Sequence, residues 1–285
     1  MIFFVFPFLK SLQIFKTMKR IRFFSTLLVL LMIINCTNAH NEATEKNKAA
    51  LIWADEFNGT GLPDPSKWGY EVGFVRNNEK QYYTLERTQN VRQESGNLVI
   101  ESRKEDFQGA NYTSGSINTL DKKSFEGDIW VEVRAKLPQG KGIWPAIWMM
   151  GANIKQVDWP KCSELDIMEF VGHTPGKVFG TLHWQDSSVA KEDKHMSKGN
   201  NMMVSDLHTT FHVFSLERRG KVISLFIDGK NFLTFASPAT AYENTFTGPL
   251  YLLLNTAIGG SWGGDIDDSI FPQKFLIDYV RVYKL

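Results

Sequence analysis

From Ala49 to the C-terminus, apolar and polar residues alternate with a period of two rather than recurring every third or fourth position. Ile129, Val131, Val133, Ala135 and Leu137 interleave with Asp128, Trp130, Glu132, Arg134 and Lys136. That pattern predicts a strand with one buried and one solvated face. Val222–Ile227 and Phe232–Phe235 flank Asp228-Gly229, a dipeptide suited to the positive φ angles of a tight hairpin turn. Leu98–Ile100, Lys177–Trp184, Leu250–Asn255 and Phe275–Tyr283 read as further strands. Ser205–His212 is compatible with one helical turn, and no segment sustains a helical stripe. No repeat or low-complexity linker divides this stretch. The expectation is one all-β domain over residues 49–285, too large for a single open sheet. Two antiparallel sheets must therefore pack face to face as a β-sandwich.

The N-terminus follows a different pattern. Lys19-Arg20-Ile21-Arg22 precedes Phe23–Ile34, a run apolar except for Ser25 and Thr26. A cationic end before about a dozen apolar residues predicts an export signal within residues 1–39, with Met18 a cleaner start than Met1. Two processing sites fit. Ile33-Ile34-Asn35-Cys36 is similar to a lipoprotein box, after which Cys36 would carry lipid and residues 40–48 would be a polar tether. Thr37-Asn38-Ala39 instead suits ordinary signal peptidase. The expected location is accordingly the outer membrane or cell surface as a lipoprotein, or else the periplasm or medium.

Charge sharpens the picture. Five of the 32 Lys and Arg residues lie in residues 1–39, leaving 27 against 31 acids, a net −4 for the remainder. A nucleic-acid-binding surface is not expected from such a balance. Two cysteines, Cys36 and Cys162, exclude a disulfide scaffold.

Candidate chemistry concentrates in Cys162-Ser163-Glu164-Leu165-Asp166-Ile167-Met168-Glu169-Phe170. Alternation puts Glu164 and Asp166 on one face with Leu165 and Ile167 facing the core. Strict alternation would then send Met168, not Glu169, to the acidic face, and one extra residue in a β-bulge restores Glu169. Three crowded carboxyls raise at least one pKa. Retaining glycosidases need such a set: an ionised nucleophile and a protonated general acid, about 5–5.5 Å apart. The plain alternative is a strand whose polar face meets water. Trp144 and Trp148 share a strand face, and Trp159 lies just before the acids; indoles beside acids suggest a carbohydrate cleft. Cys162 has no Cys/His pattern to activate it and reads as an inert buried thiol.

Glu164-Leu165-Asp166-Ile167-Met168-Glu169 resembles the active-site strand of glycoside hydrolase family sixteen, in the form with the inserted methionine typical of laminarinase-like endo-β-1,3-glucanases. The resemblance runs from Trp53-Ala54-Asp55-Glu56-Phe57 through Asn77–Thr84, Gly180–Trp184 and Leu254–Gly260 to Asp278–Tyr283. It implies a jelly roll with a concave glucan cleft. It also implies Glu164 as nucleophile, Glu169 as acid/base and Asp166 as the residue orienting Glu164. Asn78, Trp144, Trp148, Trp159, His183 and Asn255 match cleft positions. His183 also admits a purely structural role, and Asn255 a backbone-capping one. Ser116 stands where the family commonly carries arginine, which bears on the choice between β-1,3 and mixed β-1,3/1,4 chains. The family often binds a structural calcium away from catalysis; the matching positions are Glu56, Gly96 and Asp278, with main-chain oxygens among the ligands, and Asp278 reads equally as a surface carboxylate. Catalysis itself is expected to need no cofactor. The resulting expectation is a monomeric endo-acting retaining hydrolase of β-glucan. The competing readings are a transglycosylase, a hydrolase of agar or carrageenan on the same fold, and a non-catalytic carbohydrate-binding module.

Overall fold

The computed structural model describes residues 49–188 and 194–285. The expected export signal within residues 1–39, with Met18 and Cys36, and the expected tether at residues 40–48 lie outside the described residues.

In chain order the strands begin with β1 (Ala50–Asp55), β2 (Gly69–Tyr70), β3 (Gln81–Tyr83), β4 (Val91–Glu94), β5 (Asn97–Phe107) and β6 (Ala110–Ser114). Next come β7 (Ser116–Asn118), β8 (Ile129–Lys136), β9 (Ile143–Gly151), β10 (Glu164–Phe170), β11 (Lys177–Gln185) and β12 (His195–Met203). The last are β13 (His212–Arg219), β14 (Val222–Ile227), β15 (Lys230–Ala236), β16 (Leu250–Ile258) and β17 (Gln273–Lys284). Two single-turn helices, α1 (Ile154–Val157) and α2 (Gly260–Gly263), sit in connections.

One sheet runs β15-β14-β13-β8-β17-β5-β6-β3, with β1 on β17 and β4 on β5; the other runs β12-β11-β10-β9-β16-β7-β2. Among the described residues every strand pairing is antiparallel except β3 with β6. The main core fills the space between the sheets. Ile147 and Met149 of β9, Leu165 of β10, and Leu252 and Leu254 of β16 are buried in one cluster with Val131, Phe214 and Val280 from the opposite sheet. Burying each such side chain stabilises the sandwich by about 1.5–3 kcal/mol, and the period-two pattern is its direct sequence trace.

The hairpin at Asp228-Gly229 forms as expected, both residues adopting positive φ. Ser205–His212 is a run of turns leading into β13 rather than a helix. Strand β12 was not foreseen, because its residues are mostly exposed and carry no alternation to read.

The outer face of the seven-stranded sheet is also partly apolar. Ala146, Trp148, Met150, Cys162, Tyr251 and Leu253 form a second buried cluster there, and this cluster floors a cleft.

Candidate active site

Strand β10 carries the acids between β9 and β11. Against β9, Asp166 faces Trp148 while Met168 faces Ile147, so Ile167 is the extra residue of a bulge. Against β11, Asp166 pairs with Thr181 and Glu169 with Phe179, so Ile167 and Met168 together span Gly180. Both are fully buried, and the chain regains its phase at Glu169. Gly180 leaves room there for the core: a Cβ would lie 2.6 Å from Leu225 and 2.8 Å from Phe232, and both side chains would have to move. Glu164, Asp166 and Glu169 consequently line one cleft of about 610 Å3 with Trp144, Trp148 and Trp159.

Burial and mutual repulsion act on two of these carboxyls. Burial, then the neighbouring Asp166, pushes Glu169 well above the usual carboxylate range, although the Trp144 indole donates to its Oε1 at 3.0 Å. Burial and the adjacent Glu164 push Asp166 up as well, with the two carboxyls in hydrogen-bond reach. His183 Nε2 stands 3.2 Å from Asp166 Oδ2 and 3.8 Å from Glu164 Oε1. Burial lowers the pKa of His183, so the imidazole is neutral near pH 7. Its Nδ1 shares a 2.8 Å hydrogen bond with His195 Nε2, and the Trp159 ring packs 4.6 Å from His195.

A buried polar chain holds the floor in place. Trp148 Nε1 donates to Asn255 Oδ1 at 2.7 Å, Asn255 Nδ2 to the Tyr83 hydroxyl at 2.9 Å, and that hydroxyl to Glu79 Oε2 at 3.2 Å. Gln81 also donates to Glu79 Oε2 at 2.7 Å and accepts from the Ile258 amide at 2.7 Å. Asn255 is thus a cross-strand clamp rather than a backbone cap. Burial holds the Glu79 carboxyl above its ordinary pKa.

Several expected positions sit differently from the sequence reading. Trp148 is only 5% exposed and the Arg76 guanidinium lies 4.9 Å over its ring, so its face is not an open platform. Trp159, at 45% exposure, is the open indole. Asn78 does not line the cleft; Asn77 does. Both residues have positive φ, and this left-handed turn sends consecutive side chains to different sides. Cys162 is buried, and burial followed by the Glu164 charge pushes its thiol to about 12, which removes it as a nucleophile. Of the positions matched to a structural calcium, Glu56 has both oxygens bonded by Arg281 at 2.8 Å, and Asp278 pairs with Arg134. Gly96 occupies the β4–β5 turn with φ +73°.

Ser116 is buried and donates to Glu71 Oε2 at 2.6 Å, while Glu71 Oε1 pairs with Arg76. Burial opposes the charge of Arg76, but Glu71, Tyr83 and Glu79 outweigh that and raise its pKa. A guanidinium therefore does enter the cleft, from position 76 rather than 116. Arg76, Asn77, Glu79, His195 and Trp262 are lining residues that sequence reasoning passed over. The Asn77–Thr84 motif was the available signal for two of them, Asn77 and Glu79. Trp262, edge-on to Trp144 at 5.4 Å and to Phe179 at 5.0 Å, follows Gly260, whose φ of +78° and close approach to the Asn77 carbonyl admit no side chain.

A family model described as glycosyl hydrolases family 16 matches residues 78–281. The chain is 36% identical to a beta-glucanase of Rhodothermus marinus, over 96% of this chain and 98% of that one. It is 37% identical to glucan endo-1,3-beta-glucosidase A1 of Niallia circulans, covering 82% of this chain and 38% of that longer protein. Among solved structures, the laminarinase from Rhodothermus marinus superposes with a TM-score of 0.75 at 37% identity, covering 83% of this chain and 97% of that one.

Proposed function

The chain belongs to the glycosyl hydrolases of family 16, and from that premise we propose that it is an endo-acting, retaining β-glucanase cleaving β-1,3 linkages by double displacement. Its substrates on this reading are laminarin-type and mixed β-1,3/1,4 glucans. The observation that carries the reading is the bulge in β10, which returns Glu169 to the face of Glu164 and Asp166 inside an aromatic-lined cleft.

Glu169, held protonated by burial and steered by the Trp144 indole, suits the general acid. Glu164 suits the nucleophile, with Asp166 and His183 beside it to orient its oxygens. In the first step a Glu164 oxygen bonds to the anomeric carbon as the bond to the leaving sugar breaks. The electron pair departs on the glycosidic oxygen, which receives the Glu169 proton. In the second step Glu169, now ionised, takes a proton from water as the water oxygen attacks the anomeric carbon and releases Glu164. Two inversions give net retention.

Incubation with laminarin, barley β-glucan, agarose and carrageenan tests this. Reducing ends should appear from the two glucans, and proton NMR should show the β-anomer first. An α-anomer appearing first rules out double displacement, and release from agarose or carrageenan alone rules out the glucan assignment.

A further inference from the structure

Beside the cleft lies a second depression of about 450 Å3, lined by Phe74, Asn78, Glu79, Lys80, Asn111 and Tyr112 among others. Glu79 borders both cavities. Between them lies the Asn77-Asn78 turn, with Asn77 lining the first cavity and Asn78 the second. Both residues are exposed.

The lining has the chemistry of a sugar site. Phe74 is 60% exposed. Its ring is nonetheless held: it packs edge-on to Tyr82 at 5.9 Å, and Tyr82 packs on Phe107 at 5.5 Å. Tyr112 is fixed too, donating its hydroxyl to Asp268 at 2.6 Å and leaning on Phe271 at 5.4 Å. Two rigid rings flanked by the side-chain amides of Asn78 and Asn111 offer apolar faces for pyranose stacking and donor–acceptor pairs for hydroxyls. Lys80 lines the site beside the buried Glu79, so no surplus of cations marks it for an anionic ligand.

We propose that this depression is a distal subsite that binds glucosyl units of the same polysaccharide, beyond those seated in the cleft. The proposal rests on the glucanase reading and extends it. β-1,3-linked chains curve rather than run straight, so a chain leaving the cleft passes the Asn77-Asn78 turn into the depression. The protein then distinguishes long chains from short ones, because only a long chain spans both cavities.

The test compares kcat/KM on laminarin and on laminaritriose for the wild type, Phe74→Ala and Asn111→Ala. Both side chains are exposed, and thermal melting checks that each variant folds. The laminarin-to-laminaritriose ratio should fall roughly three- to tenfold in Phe74→Ala, the size of one aromatic stacking contact, and to a smaller extent in Asn111→Ala. An unchanged ratio in both variants overturns the subsite, as does an equal loss on the two substrates. A Phe74→Ala variant that loses self-association on gel filtration while keeping its ratio identifies the patch as a protein interface and equally overturns it. A wild-type enzyme that hydrolyses neither glucan defeats the glucanase reading itself, an outcome distinct from these.

Discussion

Asp166 and Glu169 are carboxyls that folding makes harder to ionise. Burial is the larger cause for each, and the neighbouring acid adds to it. Between the ordinary carboxylate pKa and the raised folded one, the folded protein binds more protons than the unfolded chain. Stability is then fully present below the ordinary carboxylate range and falls as pH rises through the raised values. Asp166→Asn removes one of these ionisations while keeping the shape. Its melting temperature should match the wild type near about pH 4 and exceed it increasingly toward pH 8, by about 2–4 °C for each kcal/mol relieved. Calorimetry across that range measures the difference. A variant that melts below wild type at pH 8 would mean that ionised Asp166 is stabilised by its surroundings, contrary to this account. Hydrolysis should fall in the same variant, because the carboxyl beside Glu164 is lost.

At the scale of elements, the bulge in β10 couples folding to chemistry. Ile167 and Met168 both join the core and are fully buried, so the register shift that returns Glu169 to the acidic face places two consecutive side chains inside the sandwich. Met168→Ala should cost about 2–5 kcal/mol of stability through the cavity it leaves. Urea denaturation reads that loss. Because phase is set by the backbone register, Glu169 should stay in the cleft and hydrolysis should persist in the folded fraction. Lost hydrolysis with an unshifted midpoint would place the Met168 side chain in the chemistry instead. The bulge was legible in the sequence because acids at 164, 166 and 169 cannot share a face under period two. Strand β12 was not, since an edge strand exposed on both faces obeys no hydrophobic alternation. Trp148 misled for a related reason: spacing tells which face a ring occupies, not that Arg76 covers it from another segment. Asn78 misled by one residue, because two successive positive φ angles are invisible to a reading that assumes extended chain.

At the scale of the molecule, two faces of one sheet do different work. Its inner face joins the main core with the ten-stranded sheet, and its outer face holds a smaller apolar cluster beneath the acids. The clamp from Trp148 through Asn255 and Tyr83 to Glu79 ties β9, β16 and β3 together under the cleft. That rigidity fixes where the two glutamates stand relative to a bound sugar, which double displacement requires. The central claim, that Glu164 is the nucleophile and Glu169 the acid/base, is tested most directly by azide rescue of the two alanine variants on an activated β-glucoside substrate. Glu164→Ala with azide should yield the α-glycosyl azide, since the anion attacks directly from the vacated side. Glu169→Ala should yield the β-glycosyl azide, since the anion intercepts the glycosyl-enzyme. The reverse pair of products, or rescue of neither variant, would contradict the assignment.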